Sequence, residues 1–363
     1  MQTPLEFGWF LPTSGDTTCY GDRDAFVDPS ADLFDRVILA AEAAGFEYFL
    51  VPVASTCWEA WISSAMAVAK TKRIKALVAA RPGYINPVQL AKMASAFDQL
   101  SGGRLAMNLI AGQSDTEALS EGITLAKEDR YAMMDEDVSI MKALWTARGG
   151  VDFEGRFHRL KAARISSQPT SVPRFYLGGG SMDAWEVSAK HSDIHLFWGD
   201  TPARIAENIA TIRGLAVRHG REHDIGFGMR LQILCRETEA EAWEAAHELV
   251  RGVTEAQTRY IRTHYASSAA NQRVQQLARE HGDLIGPHLW TGVTRVRPGA
   301  GIVIVGNPRQ CADTLQEFID LGCTSFCLSG YPHDEEATRF ARWVRPLLSE
   351  QNSGRMSPIA SSP

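Results

Sequence analysis

A glycine run, Tyr176-Leu-Gly-Gly-Gly-Ser181, stands between a short apolar segment and a helical pattern. Glycines at such a junction let backbone N–H groups close on an anion, and the dipole of the following helix adds to their pull. The spacing is neither GxGxxG nor a Walker loop, which argues against a nucleoside triphosphate and leaves phosphate binding or a plain tight turn. A second group of residues also suits an anion. Arg230 and Gln232 lie two apart in the apolar run Phe227–Cys235, hence on one face of a strand. A guanidinium inside such a strand is costly unless an anion meets it. That anion is either a ligand or an internal carboxylate, with Asp193 as the candidate. Trp198 closes another apolar run, Tyr331 and His333 follow a third, and Arg297 ends a long polar segment from which it could close over a ligand. His158, His191, His219, His223 and His281 are expected on surfaces or loops, without a role.

The elements that must position these residues are short apolar runs alternating with amphipathic helices. Eight runs read as strands: Phe7–Leu11, Tyr48–Val53, Ile74–Ala80, Leu105–Ala111, Phe175–Leu177, Ile194–Trp198, Phe227–Cys235 and Ser325–Leu328. They lack strict alternation, as parallel strands buried on both faces do. Helix ends are legible between them. Leu33, Phe34, Val37, Ile38 and Ala41 form one stripe that Gly45 ends. Asn86-Pro87, Thr201-Pro202 and Asn307-Pro308 read as caps with first-turn prolines, and Thr238 with Glu241 as a capping box. Eight β/α repeats predict an α/β fold of the (β/α)₈ TIM-barrel type, with functional groups at the C-terminal strand ends. Two stretches exceed a minimal barrel: 112–160, which ends in a hairpin turning at Glu154-Gly155, and 251–298. Insertions on strand-to-helix connections are where barrel enzymes keep lids and specificity.

The chain has 363 residues, of which 45% are hydrophobic and 22% charged, an ordinary globular composition. A net charge of −6 leaves no footprint for nucleic acid or an anionic membrane surface. No apolar run is long enough to span a bilayer and no secretory signal is evident, so a soluble cytoplasmic protein is expected. Six cysteines, at 19, 57, 235, 311, 323 and 327, show no zinc spacing, and no metal site is expected. One barrel domain over 1–348, with a lid-like insertion at about 251–298, leaves a polar tail at 349–363 that is expected to fray unless a neighbouring subunit holds it.

From about residue 5 to about residue 348 the chain resembles the bacterial luciferase-like flavin monooxygenases, and within them the alkanesulfonate monooxygenase branch. The resemblance rests on GWFLPTSGD, STCWEAW, LSGGRLAMNLIAG, the DRY at 129–131, YLGGGS, LFWGD, FGMRLQILCRET, LWTGV with RPGAG, and LSGYPHDEEA. It implies a TIM barrel, reduced FMN as co-substrate, O2, and a separate NAD(P)H-dependent FMN reductase as supplier. The implied flavin pocket falls on Cys57, Asn108, Tyr131, Gly179, Gly180 and Ser181, with Cys57 as a neutral thiol. The implied catalytic positions are Arg230, Arg297, Tyr331 and His333, and the substrate positions Trp198, Arg230, Gln232 and Arg297. The implied reaction inserts oxygen into an organosulfonate, breaks the carbon–sulfur bond and releases sulfite and an aldehyde. The family habit also implies a homodimer or homotetramer.

Two positions depart from that branch, which carries His where this chain has Ser14 and Gln232. An amide hydrogen-bonds but does not titrate near neutrality, so Gln232 is no acid or base. Ser and Gln suit a hydroxylated substrate, which makes a sulfosugar such as sulfoquinovose the specific alternative. Relatives that oxidise sulfones or amides, that use a deazaflavin, or that bind flavin without turnover mark the remaining readings.

Overall fold

The computed structural model describes residues 3–112, 115–266 and 268–356. Eight parallel strands close into a barrel: β1 (Glu6–Phe10), β2 (Tyr48–Val51), β3 (Lys75–Ala80), β4 (Leu105–Leu109), β5 (Arg174–Gly178), β6 (Ile194–Trp198), β7 (Gly226–Cys235) and β8 (Cys323–Ser329). Each of β1 to β6 pairs with the next, β8 lies between β1 and β7, and β6 pairs with β7 to complete the ring. The predicted TIM barrel and its eight strands are therefore present, with ends differing by a residue or two. Helices α1 (Ala31–Ala43), α2 (Ala60–Lys70) and α3 (Pro87–Ser101) follow the first three strands. After β4 come α4 (Asp115–Ser120) and α5 (Lys127–Thr146), then the predicted hairpin of Val151–Glu154 and Arg159–Ala163. The outer shell continues with α6 (Met182–His191) and α7 (Pro202–Val217), and α8 (Glu239–Leu249) follows β7.

The helices begin where local chemistry caps them. Ser30, Asn86, Thr201 and Asn307 each accept a first-turn N–H, and Thr238 with Glu241 forms the reciprocal capping box. In α1 the buried residues are the predicted stripe Leu33, Phe34, Val37, Ile38 and Ala41.

The 251–298 insertion is more structured than a loop. It holds α9 (Glu255–His264), α10 (Ala269–His281) and a short strand, Leu289–Trp290. The run Val303–Gly306, absent from the predicted strands, pairs in parallel with the upper half of β7 (Gln232 opposite Val303). The reason is length: β7 outruns β6, which ends at Trp198 opposite Arg230, so the free upper edge takes a second partner. After α11 (Pro308–Asp320) and β8, the chain closes with α12 (His333–Arg339) and α13 (Arg345–Gln351). The expected fraying of the tail does not hold over 349–356. Leu5 N–H donates to Arg355 O at 2.7 Å and Leu5 bridges Met356, tying this stretch to the start of β1; residues 357–363 lie outside the described ones.

All six cysteines are free thiols. Among the described residues, no helix is long and apolar enough to cross a membrane, and no cluster of His, Cys, Asp and Glu could hold a metal ion. One of the histidines expected on surfaces or loops is on neither: His191, at the end of α6, is buried against Asp135. His158 lies in the hairpin loop as expected, half-buried against Asp137 at 2.6 Å.

The barrel interior is filled by side chains that leave room only near the top. Tyr48 and Tyr176 pack at 5.6 Å between ring centroids, with Tyr48 Oη 3.1 Å from Ser325 Oγ. Gly8 makes this possible, because a Cβ there would stand 2.0 Å from the Tyr48 ring. Above this layer Phe10, Leu50 and Leu196 form the floor of a cavity. Gly8→Ala should therefore lower stability by about 1–3 kcal/mol, the usual cost of overpacking. The check is a urea unfolding midpoint, and adding Tyr48→Leu should recover part of the loss; a wild-type midpoint for Gly8→Ala alone refutes the packing account.

Candidate active site

A cavity of about 310 Å³ opens at the C-terminal ends of the strands. Its wall includes ten of the residues predicted for the site: Cys57, Asn108, Tyr131, Gly179, Gly180, Ser181, Trp198, Arg230, Arg297 and Tyr331. Two others are absent from the wall. Gln232 shares the inward face of β7 with Arg230, but the returning segment crosses over it and its Nε2 donates to Ala300 O at 2.7 Å. His333 is buried behind the wall, where its N–H and Nδ1 both meet Asp16, at 2.8 Å each.

One end of the cavity is built for an anion. The loop Gly178–Ser181 leaves β5, and Ser181 caps α6. The Trp185 indole N–H donates to Gly179 O at 3.0 Å and pins the loop. Gly179 has φ +154°, and a Cβ there would come 2.7 Å from Ala184 and 3.1 Å from the Tyr131 hydroxyl. Tyr131 in turn is placed by its neighbour in the chain. Arg130 donates to Ala111 O (2.7 Å), Leu125 O (2.9 Å) and Asp115 (2.8 Å), locking α5 to the end of β4. Burial raises the Tyr131 phenol, so it is a neutral donor. Lys127, one turn earlier, adds a cation to the same wall. A second helix start faces this loop: Ser268 caps α10, and Ala270 is the closest neighbour of Gly180 across the cavity. Two helix N-termini, the glycine loop, hydroxyls and a lysine are a fitting cradle for the phosphate of a nucleotide-like cofactor such as FMN.

The opposite end holds two guanidinium groups, the buried Arg230 and the half-buried Arg297. Arg230 Nη1 donates to Leu231 O (2.8 Å) and Ser329 Oγ (3.0 Å), and its guanidinium lies 4.6 Å from the Phe10 ring centroid. It has no carboxylate partner among the described residues; Asp193, the internal candidate, instead accepts the N–H of Phe175 at 2.7 Å. Burial, with Arg297 contributing, makes its charged form harder to hold. Arg297 lies 5.1 Å from the same ring and donates to Tyr331 Oη at 2.8 Å. Tyr331 also accepts from Tyr20 Oη at 2.8 Å, and burial together with Tyr331 keeps the Tyr20 phenol well above its ordinary pKa. Among the described residues, the one acidic residue in the cavity wall is Asp16. Burial alone would raise its carboxyl, but His333 and the N–H groups of His333 and Thr17 more than offset this, so it is ionised and already engaged.

Asp16, Tyr20, Phe10, Lys127 and the start of α10 were not among the predicted site residues. The signal for the first two was the long polar stretch between β1 and α1, with glycines at 15 and 21, too long for a minimal connection. Cys57 sits on the loop after β2. Arg81 holds that loop by donating to Val53 O (3.0 Å) and to Glu117 (3.0 Å), whose other oxygen accepts Ser55 N–H at 2.9 Å. Burial pushes the Cys57 thiol up, so it lines the cavity in neutral form.

The model of the luciferase-like monooxygenases matches residues 5–325. The chain belongs to that family. As a luciferase-like protein it shares its fold with solved structures of low identity. Riboflavin lyase, solved with modified FMN and riboflavin, is 20% identical over 96% of this chain and 92% of its own, with a TM-score of 0.79. EDTA monooxygenase from Chelativorans sp. BNC1 is 16% identical over 99% and 96%, with a TM-score of 0.76. An F420-dependent secondary alcohol dehydrogenase is 18% identical over 96% and 99%, with a TM-score of 0.68. These structures share the barrel with this chain, and their names cover both FMN-linked and F420-dependent enzymes.

The glycine cradle gives a clean contrast. A Cβ at Gly180 meets nothing closer than 3.7 Å, whereas one at Gly179 collides. Gly180→Ala should keep the wild-type melting temperature yet weaken reduced FMN at least tenfold in an anaerobic fluorescence titration, while Gly179→Ala lowers both. Unchanged flavin affinity in Gly180→Ala would move the cofactor's phosphate elsewhere.

Proposed function

We propose that this protein is a reduced-FMN-dependent monooxygenase that cleaves the carbon–sulfur bond of an organosulfonate, releasing sulfite and an aldehyde. The observation that carries this is the pair of guanidiniums, the buried Arg230 and the half-buried Arg297, which face the cavity without a carboxylate partner among the described residues. A sulfonate is anionic throughout the accessible pH range, so fixed positive charge and charge-assisted donors suit it. A neutral sulfone or amide would leave both charges uncompensated. Reduced FMN would supply the two electrons that activate O2, and the Gly178–Ser181 loop, Tyr131 and Lys127 would hold its phosphate. An NAD(P)H-dependent FMN reductase would deliver it, in the cytoplasm.

The protein's own share is positioning and exclusion of water. Arg230 fixes the sulfonate over Phe10, and Trp198, Leu50 and Leu196 surround the carbon chain. The insertion closes the top as a lid. Arg273 on α10 grips Asp200, just past β6, through two bonds of 2.7 and 2.8 Å, and Asn271 accepts Gly299 N–H at 3.1 Å. Asp200 and Asn271 thereby hold the segment that carries Arg297. Ser14, in the wall, favours a hydroxyl-bearing substrate such as a sulfosugar as the second reading; Gln232, outside the wall, does not bear on it.

Sulfite release tests the proposal. With FMN, a flavin reductase, NADH and air, one member of a panel of short alkanesulfonates, longer ones and sulfoquinovose should yield sulfite, and omission of the reductase should abolish it. Arg230→Met should lower kcat/KM at least 100-fold, the loss expected when a charge-assisted contact worth about 3 kcal/mol disappears. No sulfite from any member sinks desulfonation in favour of sulfone, amide or deazaflavin chemistry.

The lid has its own readout. Flavin plus sulfonate should slow limited proteolysis within 251–298, and Asp200→Asn should restore cutting and raise hydrogen peroxide formed per NADH consumed. Equal cutting with and without ligands would make the insertion a fixed wall.

A further inference from the structure

Tyr20 stands at a junction that no part of the chemistry above uses. Its N–H donates to Leu249 O at 2.8 Å, and Cys19 Sγ donates to Arg251 O at 3.3 Å. Gly21 lies so near the same stretch that a Cβ would come within 2.1 Å of Arg251 O. Residues 19–21 are thus clamped to the point where the insertion leaves the barrel. The Tyr20 side chain reaches the point where it returns, because Tyr20 and Arg297 both donate to Tyr331 Oη, each at 2.8 Å. The two phenol rings meet edge to face, 5.6 Å between centroids.

A phenol oxygen accepts about two hydrogen bonds and donates one. With both acceptor directions of Tyr331 taken, its own proton is left to point into the cavity that it lines. We infer that Tyr20 is a positioning residue that holds Tyr331 as a donor aimed at the substrate's sulfonate oxygens, beside Arg297. The inference rests on the desulfonation reading. Once the carbon next to sulfur carries a hydroxyl, collapse sends the hydroxyl proton away, forms the C=O bond and breaks the C–S bond. The C–S electron pair goes to sulfur, so the single negative charge of the sulfonate becomes the two of sulfite. Donors fixed at those oxygens before the charge appears favour the product side of that step. Tyr20 contributes by denying Tyr331 any other orientation, and because it is clamped to one root of the insertion while Arg297 occupies the other, the donor is aimed only when the insertion is seated.

Tyr20→Phe keeps the ring and removes one oxygen. Its kcat for sulfite release should fall 10- to 100-fold, with KM for the sulfonate and reduced-FMN affinity within twofold of wild type. In a Tyr331→Phe background the same change should have no further effect. A wild-type kcat, a loss confined to KM, or an equal loss in the Tyr331→Phe background would overturn the inference.

A separate titration keeps the inference testable if no sulfonate is turned over. Calorimetry of the FMN-loaded protein should show sulfite bound at least tenfold more tightly than methanesulfonate, and Tyr20→Phe should erase that preference. Sulfite preference without turnover retains the Tyr20 assignment and rejects the reaction. Equal binding of the two anions, or a preference untouched in Tyr20→Phe, rejects the assignment itself.

Discussion

Two guanidinium groups share one aromatic ring, and the upper half of the barrel is organised around that arrangement. Arg230 and Arg297 approach Phe10 at 4.6 and 5.1 Å, and the ring's negative face offsets part of what burial costs them. It cannot offset all of it. Like charges in a low-dielectric wall repel, and an internal carboxylate would have been the simple remedy. Asp16, the one acid in the wall, is instead occupied by His333 and Thr17, leaving the positive charge unspent for whatever enters. This is the pattern of a site organised for an incoming anion rather than for the stability of the empty protein.

The two arginines reach the ring by different routes, and the difference has mechanical meaning. Arg230 is part of β7, paired on both sides by β6 and β8, so its backbone is as fixed as any in the barrel. Arg297 arrives at the end of an insertion whose helix α9 buries none of its residues, while its helix α10 buries Val274 and Leu277 in the core and adds polar contacts to Asp200, Gly299 and Thr294. α9 thus has the few buried apolar contacts of a segment that opens at low cost, whereas α10 is anchored to the core. Arg230 is fixed by the barrel sheet, and Arg297 depends on how α10 seats the insertion.

The barrel, the glycine loop and the charged or aromatic residues at strand ends were legible in the sequence because they follow from short-range rules, whereas Cys57, Asn108 and Tyr131 came from the family resemblance alone. Continuous apolar runs mark parallel strands, and a charged or glycine residue at the end of such a run has one place to go, the open end of the barrel. Val303–Gly306 escaped that reading because it pairs with an edge that exists only where β7 outruns β6, a fact of relative length rather than of pattern. Gln232 shows the complementary limit. Strand periodicity correctly put it on the face of Arg230, but the chain crossing above at Ala300 removed it from the cavity. Tyr20 and Asp16 come from a loop, where no periodicity assigns a direction to a side chain.

Gln232, where the alkanesulfonate branch that the sequence resembles carries His, takes on a different sense once the segment above it is considered. The Gln232 side chain donates to Ala300 O and its backbone N–H to Ile302 O, at 2.7 and 2.9 Å, so one residue stitches β7 to the stretch that follows Arg297. A neutral amide makes that stitch at every pH, whereas an imidazole there would add a charge behind two arginines whenever it protonated. In this chain the position ties β7 to the stretch that follows Arg297, and the neutrality of glutamine keeps that tie independent of proton concentration.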